Sequence, residues 1–482
     1  MNNRTWARLA AVTAALALTL GACSSSDGDS ATGGSTSGDT ATDSAAGGDT
    51  AAGGDTAADG DTSQGDGATS GYDLNNPPGS ETPVELIYWD WAPGIENIVD
   101  QWNAKNNGIT VTLVTMDGGD PAIAKLLTAI KAGSGAPDIM HSEYQMIPTL
   151  VVGDALIDMT EYLDPSVKGQ FTDAVWNSVT LGTDAVYAVP GDFGPLAFFY
   201  RADKFEEWGL TVPTTWDEYA EVARQVREKD PNAYLGTFSS NDAGWFTGMT
   251  QQAGASWWGI KDDSWTVDVN SDATKKVAEY WGGLVEEGAI LNTPMYTPEW
   301  VAALADGTQV GWLSASWAPS VLISNAPDTQ GLWKAAPLPQ WDAANPATGT
   351  WGGSGTAITA QSEHPAEAAQ FISWLNASEE GVKAMAELGQ YPAADDLRTK
   401  VMTEPPAFMA AQTDYVDLLN QIAGTVNPFT YGPNVNVAYS AYNDEFGKAC
   451  EQKSQDAFVA AVDTMQSLTL EDLISSGFAV AE

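Results

Sequence analysis

"VELIYWDWAPGIENIVDQWNAKNNGITVTLVTM", residues 84–116, decides the fold. It opens on an apolar run, Val84 to Trp89, breaks at Pro93 and Gly94, and resumes with Ile95, Ile98, Val99 and Trp102 at the spacing of one helical face. Gly108 stops that helix, and residues 109–116 alternate as a second strand. This is a β-α-β unit. A further helical pattern, "DPAIAKLLTAIKAGSG" (120–135), leads into a third strand, "PDIMHS" (137–142), so the fold expected is α/β, a mostly parallel sheet with helices on its faces. Ligands of such sheets bind at the carboxyl ends of the strands. Trp89, Asp90 and Trp91 stand at one such end and His141 to Gln145 at another.

Outward from this unit the chain changes character. Residues 1–22 carry Arg4 and Arg8, then an apolar run from Leu9 to Leu20, the anatomy of a secretory leader. That run is shorter than the roughly 20 residues a membrane-spanning helix needs. "LGAC", Leu20 to Cys23, resembles a bacterial lipobox, which implies lipidation of Cys23, membrane contact through that lipid, and residence on the extracellular face of the cell membrane. An ordinary leader with an incidental cysteine is the alternative. Residues 23–81 are rich in Gly, Ser, Thr and Asp and include "AAGGDT", "AAGGDT", "AADGDT" from Ala45 to Thr62. Such a composition cannot bury enough apolar surface to offset chain entropy, so it reads as a disordered linker. A flexible chain of that length spans roughly 40 Å.

From Thr82 onward the chain exceeds the roughly 250–300 residues at which a single core stops growing, so two lobes are expected. The 482-residue sequence holds 64 acidic against 20 basic residues, a formal charge of −44, which argues against nucleic acid or an anionic surface as partner. Of its two cysteines, Cys450 has no partner once Cys23 is lipidated, and no disulfide framework exists. No G-x-S-x-G, P-loop or H-E-x-x-H motif is present, and two histidines, His141 and His364, suggest no metal site. Neither cofactor nor metal is expected.

Four further blocks resemble a known family. "GSGAPDIMHSEYQMIPTLVVGDALIDMTEYL" (133–163), "VYAVPGDFGPLAFFYRADKFEEWGLTVPTTWDEYAEVARQV" (186–226), "ALADGTQVGWLSASWAPSVL" (303–322) and "WKAAPLPQWDAANPATGTWGGSGTAITAQSEHPAEAAQFISWLNASEEG" (333–381) are similar to the extracellular solute-binding proteins of ABC importers, nearest the carbohydrate-binding lipoproteins related to maltose-binding protein. The resemblance implies a type II periplasmic-binding-protein-like fold: two α/β lobes, a hinge, and an interlobe ligand cleft. It implies lobe 1 from residues 82–189 plus 352–380 and lobe 2 from 190–351 plus 381–482. The chain would cross near Val189 to Tyr200, near Trp351 to Thr356, and around residues 376–392. It also implies a monomer serving ABC permease subunits in the membrane.

A sugar presents a face of polarised C–H bonds and a rim of hydroxyls, so it calls for aromatic plates with carboxylates or amides around them. Trp91 and Asp90, turned by Pro93 and Gly94, offer both, with Trp89 in the core; both tryptophans in the core is the alternative. Glu143, Tyr144 and Gln145 match the family's ligand-contacting loop, unless that loop is simply solvated. Asp192 would accept hydroxyls, although Gly191 stands where relatives carry a longer polar residue. Asp242 precedes Trp245, the favoured second-lobe platform, while Trp257 and Trp258 read as packing. Trp317 matches the family's aromatic stacking position, with core packing as its alternative, and Trp351 and Gly353 lie on a crossing strand. Tyr391, before Pro392, either closes one end of the cleft or shapes the turn.

The expected function is capture of a neutral mono- or oligosaccharide without chemical change. A polyamine or peptide ligand in the same importer role is the alternative, and a secreted glycoside hydrolase with paired carboxylates is a further one.

Overall fold

The computed structural model describes residues 71–481 apart from Gly182 and Asp263. The leader, Cys23 and the hexapeptide repeat lie outside the described residues. The strands are β1 (Val84–Asp90), β2 (Ile109–Thr115), β3 (Ile139–Glu143), β4 (Val189–Arg201), β5 (Trp258–Lys261), β6 (Ser264–Val267), β7 (Gly311–Ala315), β8 (Trp333–Pro337) and β9 (Thr350–Ile358). β1 pairs in parallel with both β2 and β3. Between β1 and β2, helix Ile95–Ala104 buries Ile95, Ile98, Val99 and Trp102, the stripe its spacing predicts. Each such side chain contributes roughly 1.5–3 kcal/mol by leaving water. Gly108 ends this connection at φ 86°, where an added Cβ would sit 2.1 Å from the Ser80 carbonyl oxygen. Only glycine fits there.

β4 and β9 join the two halves of the molecule. β9 lies antiparallel to β3 through Ser354–Ile358, and antiparallel to the first part of β4, where Val189 faces Thr356 and Pro195 faces Thr350. Register shifts around Gly191 and Gly194 bend β4 at this point. Its second part, Leu196 to Arg201, runs antiparallel to both β7 and β8. The sheet order β2-β1-β3-β9-β4-β7, with β8 also on β4, therefore forms two α/β lobes sharing long strands across a hinge. A third passage lies alongside: the Phe193 amide donates to the Tyr391 carbonyl (2.9 Å) and the Ala393 amide to the Gly191 carbonyl (3.0 Å).

Away from the crossings, aromatic rings fill the second lobe. Phe238, Phe246, Tyr442, Phe446 and Phe458 pack together beneath helices Asp272–Glu286, Val435–Gln452 and Gln455–Ser475. Cys450 is buried on the second of these helices, and burial pushes its thiol up to about 12, so it is a packing residue. β5 and β6 form a hairpin whose Trp265 exchanges backbone hydrogen bonds with Ala479 and Ala481 near the chain end.

The linker boundary needs correction. Residues 71–81, assigned above to the disordered segment, are held against the first lobe. The Tyr72 amide donates to the Asp164 carboxylate at 2.7 Å, Lys105 Nζ donates to the Asn75 carbonyl at 2.8 Å, and the Gln370 side chain pairs with both backbone groups of Gly79 (2.8 and 3.2 Å). Leu74 is buried, and Asp73 caps its own turn by accepting from the Asn75 amide at 3.0 Å. The polar composition that predicts disorder also supplies these turn bonds.

Candidate functional site

At the end of β1, alternation sends Tyr88 and Asp90 to one face and Trp89 to the other. Trp89 is buried beneath the Lys125 ammonium, which lies 4.3 Å from its ring centre. Asp90 is buried as well, and both its oxygens are engaged. Oδ1 accepts the Ala92 amide at 2.7 Å, while Oδ2 accepts the Tyr88 hydroxyl and faces His141 Nδ1 at 3.3 Å. Burial works against ionisation of Asp90, but the imidazolium and these hydrogen bonds outweigh it and hold the carboxyl below its usual range. Burial equally opposes the charge on His141, yet Asp90, with Asp192 and Glu143 behind it, raises the imidazole to about 9. The expectation that the turn aims Asp90 outward is thus corrected: strand alternation commits it to an internal ion pair.

Trp91 lies beyond the strand and escapes that alternation. Partly exposed, it meets the His141 ring edge-on, centroids 4.4 Å apart at 76°. A Cβ placed on Gly119 would lie 2.6 Å from the Glu143 carboxylate and 3.6 Å from the Trp91 ring, so Trp91, Glu143 and the start of helix Gly119–Ala132 converge. Tyr144 and Gln145 are buried. The Tyr144 hydroxyl donates to the Asp192 carbonyl (2.8 Å) and its amide to the Gly353 carbonyl (3.1 Å). Gly353, at φ 102°, leaves room for that ring, which an added Cβ would approach to 2.9 Å. The Asp192 carboxylate accepts the Ser354 amide at 2.8 Å and the Ser354 hydroxyl. Burial raises this carboxyl above its usual value even so, with Ser354 and His141 pulling the other way.

The second lobe contributes Asp242, Trp317 and Trp351. Asp242 caps helix Ala243–Gln252 by accepting the Trp245 amide at 2.9 Å, and the Trp351 side chain hydrogen-bonds to the same carboxylate. Burial pushes Asp242 up to about 7, against those bonds. Trp317 donates its indole N–H to the Trp351 carbonyl at 3.0 Å, and the two rings meet edge to face with centroids 4.6 Å apart.

One expectation for the aromatics is corrected, and one pair of alternatives is decided. Trp245 is 1% exposed, donates to the Leu313 carbonyl at 3.0 Å and packs on Phe238 and Trp281, so its indole faces β7 rather than the cleft. Tyr391 is equally enclosed: its hydroxyl donates to Asn420 Oδ1 at 2.7 Å and the Arg398 guanidinium covers its ring at 4.5 Å. It shapes the third crossing.

Three tyrosines absent from the sequence reading stand at the same place. Tyr296 is 48% exposed, beside Trp300 and Trp351, with Asp242 close enough to raise its phenol further after burial has already driven it well above the ordinary range. Tyr431 and Tyr439, both partly exposed, feel Glu143 from across the cleft, and burial pushes Tyr431 up to about 12. The rim itself is bridged: Thr149 Oγ1, on helix Ile147–Val152, donates to the Pro433 carbonyl at 3.0 Å. The signal that exposes Trp91, an aromatic residue just before Pro and Gly, recurs in Tyr431-Gly432-Pro433 and would have found it.

Among the described residues no group of three or more His, Cys, Asp or Glu side chains is arranged to hold a metal, and no helix is long and apolar enough to cross a membrane. The assembly is an aromatic and acidic cleft between two lobes that share strands, the architecture of a type II periplasmic binding protein. The sequence profile of the bacterial extracellular solute-binding proteins matches residues 88–382, more than half of the chain, and the chain belongs to that family. It is 26% identical over 337 residues to the arabinooligosaccharide-binding protein of Halalkalibacterium halodurans, covering 67% of this chain and 74% of that protein. Among solved structures it is similar to the galacto-N-biose/lacto-N-biose I-binding protein of a Bifidobacterium longum ABC transporter, in complex with lacto-N-biose (27% identity, TM-score 0.75, 83% of this chain and 100% of that one). It is likewise similar to the ABC transporter-associated binding protein of B. animalis subsp. lactis in complex with β-1,6-galactobiose (26% identity, TM-score 0.73, 83% and 99%).

Proposed function

We propose that this protein is the substrate-binding component of an ABC importer and that its cleft captures a neutral mono- or oligosaccharide by closure of the two lobes. One observation carries the reading: partly exposed Trp91 and Trp317, together with Trp351, Asp242 and Glu143, gather aromatic plates and acceptors from both lobes at one cleft. The names of the relatives described above agree with it. Burying about 100 Å² of one aromatic face contributes roughly 2.5 kcal/mol. Several such faces plus hydrogen bonds reach the roughly −8 kcal/mol of a micromolar ligand after the costs of ordering and association. Contact with both lobes is what converts binding into closure.

The same proposal carries the lobe limits of 82–189 plus 352–380 and 190–351 plus 381–482, a monomeric receptor, and delivery to a membrane permease. It also includes tethering at the extracellular face through a lipid on Cys23, which Cys23→Ser should release from membranes into the soluble fraction. The test of the ligand class is titration calorimetry of the purified protein with arabinotriose, lacto-N-biose and β-1,6-galactobiose, followed by recovery of the saccharide. Binding with unaltered sugar supports the reading; hydrolysed sugar replaces it with an enzyme.

A second reading, a cationic ligand, rests on the carboxylates of Asp242 and Glu143 beside the aromatic rings of the cleft. Spermidine binding that weakens steeply with salt, alongside indifference to all three saccharides, would establish it.

A further inference from the structure

Tyr296 has a backbone that most aromatic residues avoid. Its φ is 65°, in the left-handed region that disfavours side chains with a Cβ. Its neighbours in the chain impose that geometry. The Met295 amide donates to Ser239 Oγ at 2.9 Å and the Met295 carbonyl accepts from Asn241 Nδ2 at 3.1 Å. On the other side Thr297 is fixed as the cap of helix Pro298–Asp306, its hydroxyl accepting the Trp300 amide at 3.3 Å. Clamped on both flanks, the residue between is turned away from the core. Strain held in this way by a rigid surround points to a use for the side chain it presents.

The ring sits where a ligand would need it. Nearly half of Tyr296 is open to solvent, yet protein surrounds its hydroxyl closely enough to keep the phenol protonated far beyond its ordinary range. The ring lies beside Trp300, centroids 5.2 Å apart and tilted by 53°, and near Trp351 at 6.3 Å, continuing the Trp317–Trp351 pair. Asp242, bonded to Trp351, lies within electrostatic reach.

We propose that Tyr296 is a specificity-determining residue of the cleft, a stacking platform for one sugar ring of the ligand, held at positive φ so that its face stays open while Asp242 accepts hydroxyls at the ring's edge. This rests on the saccharide reading above. An aromatic face covers the C–H side of a pyranose or furanose, and a neighbouring carboxylate takes the hydroxyls. A platform whose backbone is already clamped loses less conformational entropy when the ligand arrives than one on a free loop.

The test uses the intact protein, the saccharide that binds wild type most tightly among arabinotriose, lacto-N-biose and β-1,6-galactobiose, and two variants. Tyr296→Phe keeps the ring; Tyr296→Asn removes it but tolerates the left-handed backbone. Expected are a Kd within threefold of wild type for Phe and at least tenfold weaker for Asn, with ligand-free Tm values of both within about 3 °C of wild type. An Asn variant that binds as wild type overturns the platform, as does one whose lost affinity follows a collapsed Tm while Phe loses affinity equally. Wild type binding none of the three saccharides sinks the function proposed above, and this platform with it; wild-type binding with an indifferent Asn variant sinks the platform alone.

Discussion

Asp90 and His141 carry opposite charges in a buried pair, and each depends on the other. Replacing Asp90 with Ala removes the charge that keeps the buried His141 protonated and leaves the Tyr88 hydroxyl and the Ala92 amide without their acceptor, and should cost about 3–5 kcal/mol of unfolding free energy in urea. The pH dependence has a definite sign. His141 titrates at about 9 in the folded chain and near 6.5 when unfolded, so its contribution is complete below about pH 6.5 and is lost as pH rises towards 9. Relative to His141→Gln, wild type should lose stability of the order of 2–3 kcal/mol across that window, measured by denaturant titration at successive pH values. Gly353 makes a different demand. Gly353→Ala sets a Cβ 2.9 Å from the Tyr144 ring at φ 102°, and should destabilise by at least about 1–2 kcal/mol while disturbing the Tyr144–Asp192 bond. A Tm equal to wild type would refute this.

At the scale of elements, the segment 71–83 is a clasp rather than free chain. Cutting the protein after residue 82 removes the Tyr72–Asp164, Asn75–Lys105 and Gly79–Gln370 bonds and should lower its Tm by several degrees in a thermal melt relative to a cut after residue 70. This clasp was illegible in the sequence because its few ordering contacts are made with residues far along the chain, while composition reports only the local average. The opening β-α-β unit was legible for the opposite reason: Ile95, Ile98, Val99 and Trp102 declare a helical face without help from elsewhere. The cleft falls between. Its place at the strand ends followed from topology, but the direction of each side chain did not. The Asp242 cap could be read, while the face of the helix it begins depends on Leu313 in β7, which accepts the Trp245 indole. Tyr296 was hidden for a similar reason, since its left-handed backbone is imposed by Ser239 and Asn241.

For the molecule as a whole, the Thr149–Pro433 hydrogen bond joins helix Ile147–Val152, which follows β3, to the loop that carries Tyr431, across the mouth of the cleft. A bond formed only when the two sides meet should act on departure of the ligand more than on its arrival. Thr149→Val should therefore raise the dissociation rate about three- to tenfold in stopped-flow measurements and leave the association rate within twofold. An unchanged dissociation rate would mean that the lobes close without this contact.

β9 comes late in chain order yet inserts between β3 and β4. A nascent polypeptide emerging from its amino end therefore holds a vacant slot, flanked by two unsatisfied strand edges, until residue 358 appears. Prematurely terminated products would expose those edges and invite pairing with any extended neighbour, so truncation by a stop codon before residue 350 should yield insoluble aggregates rather than a smaller soluble receptor.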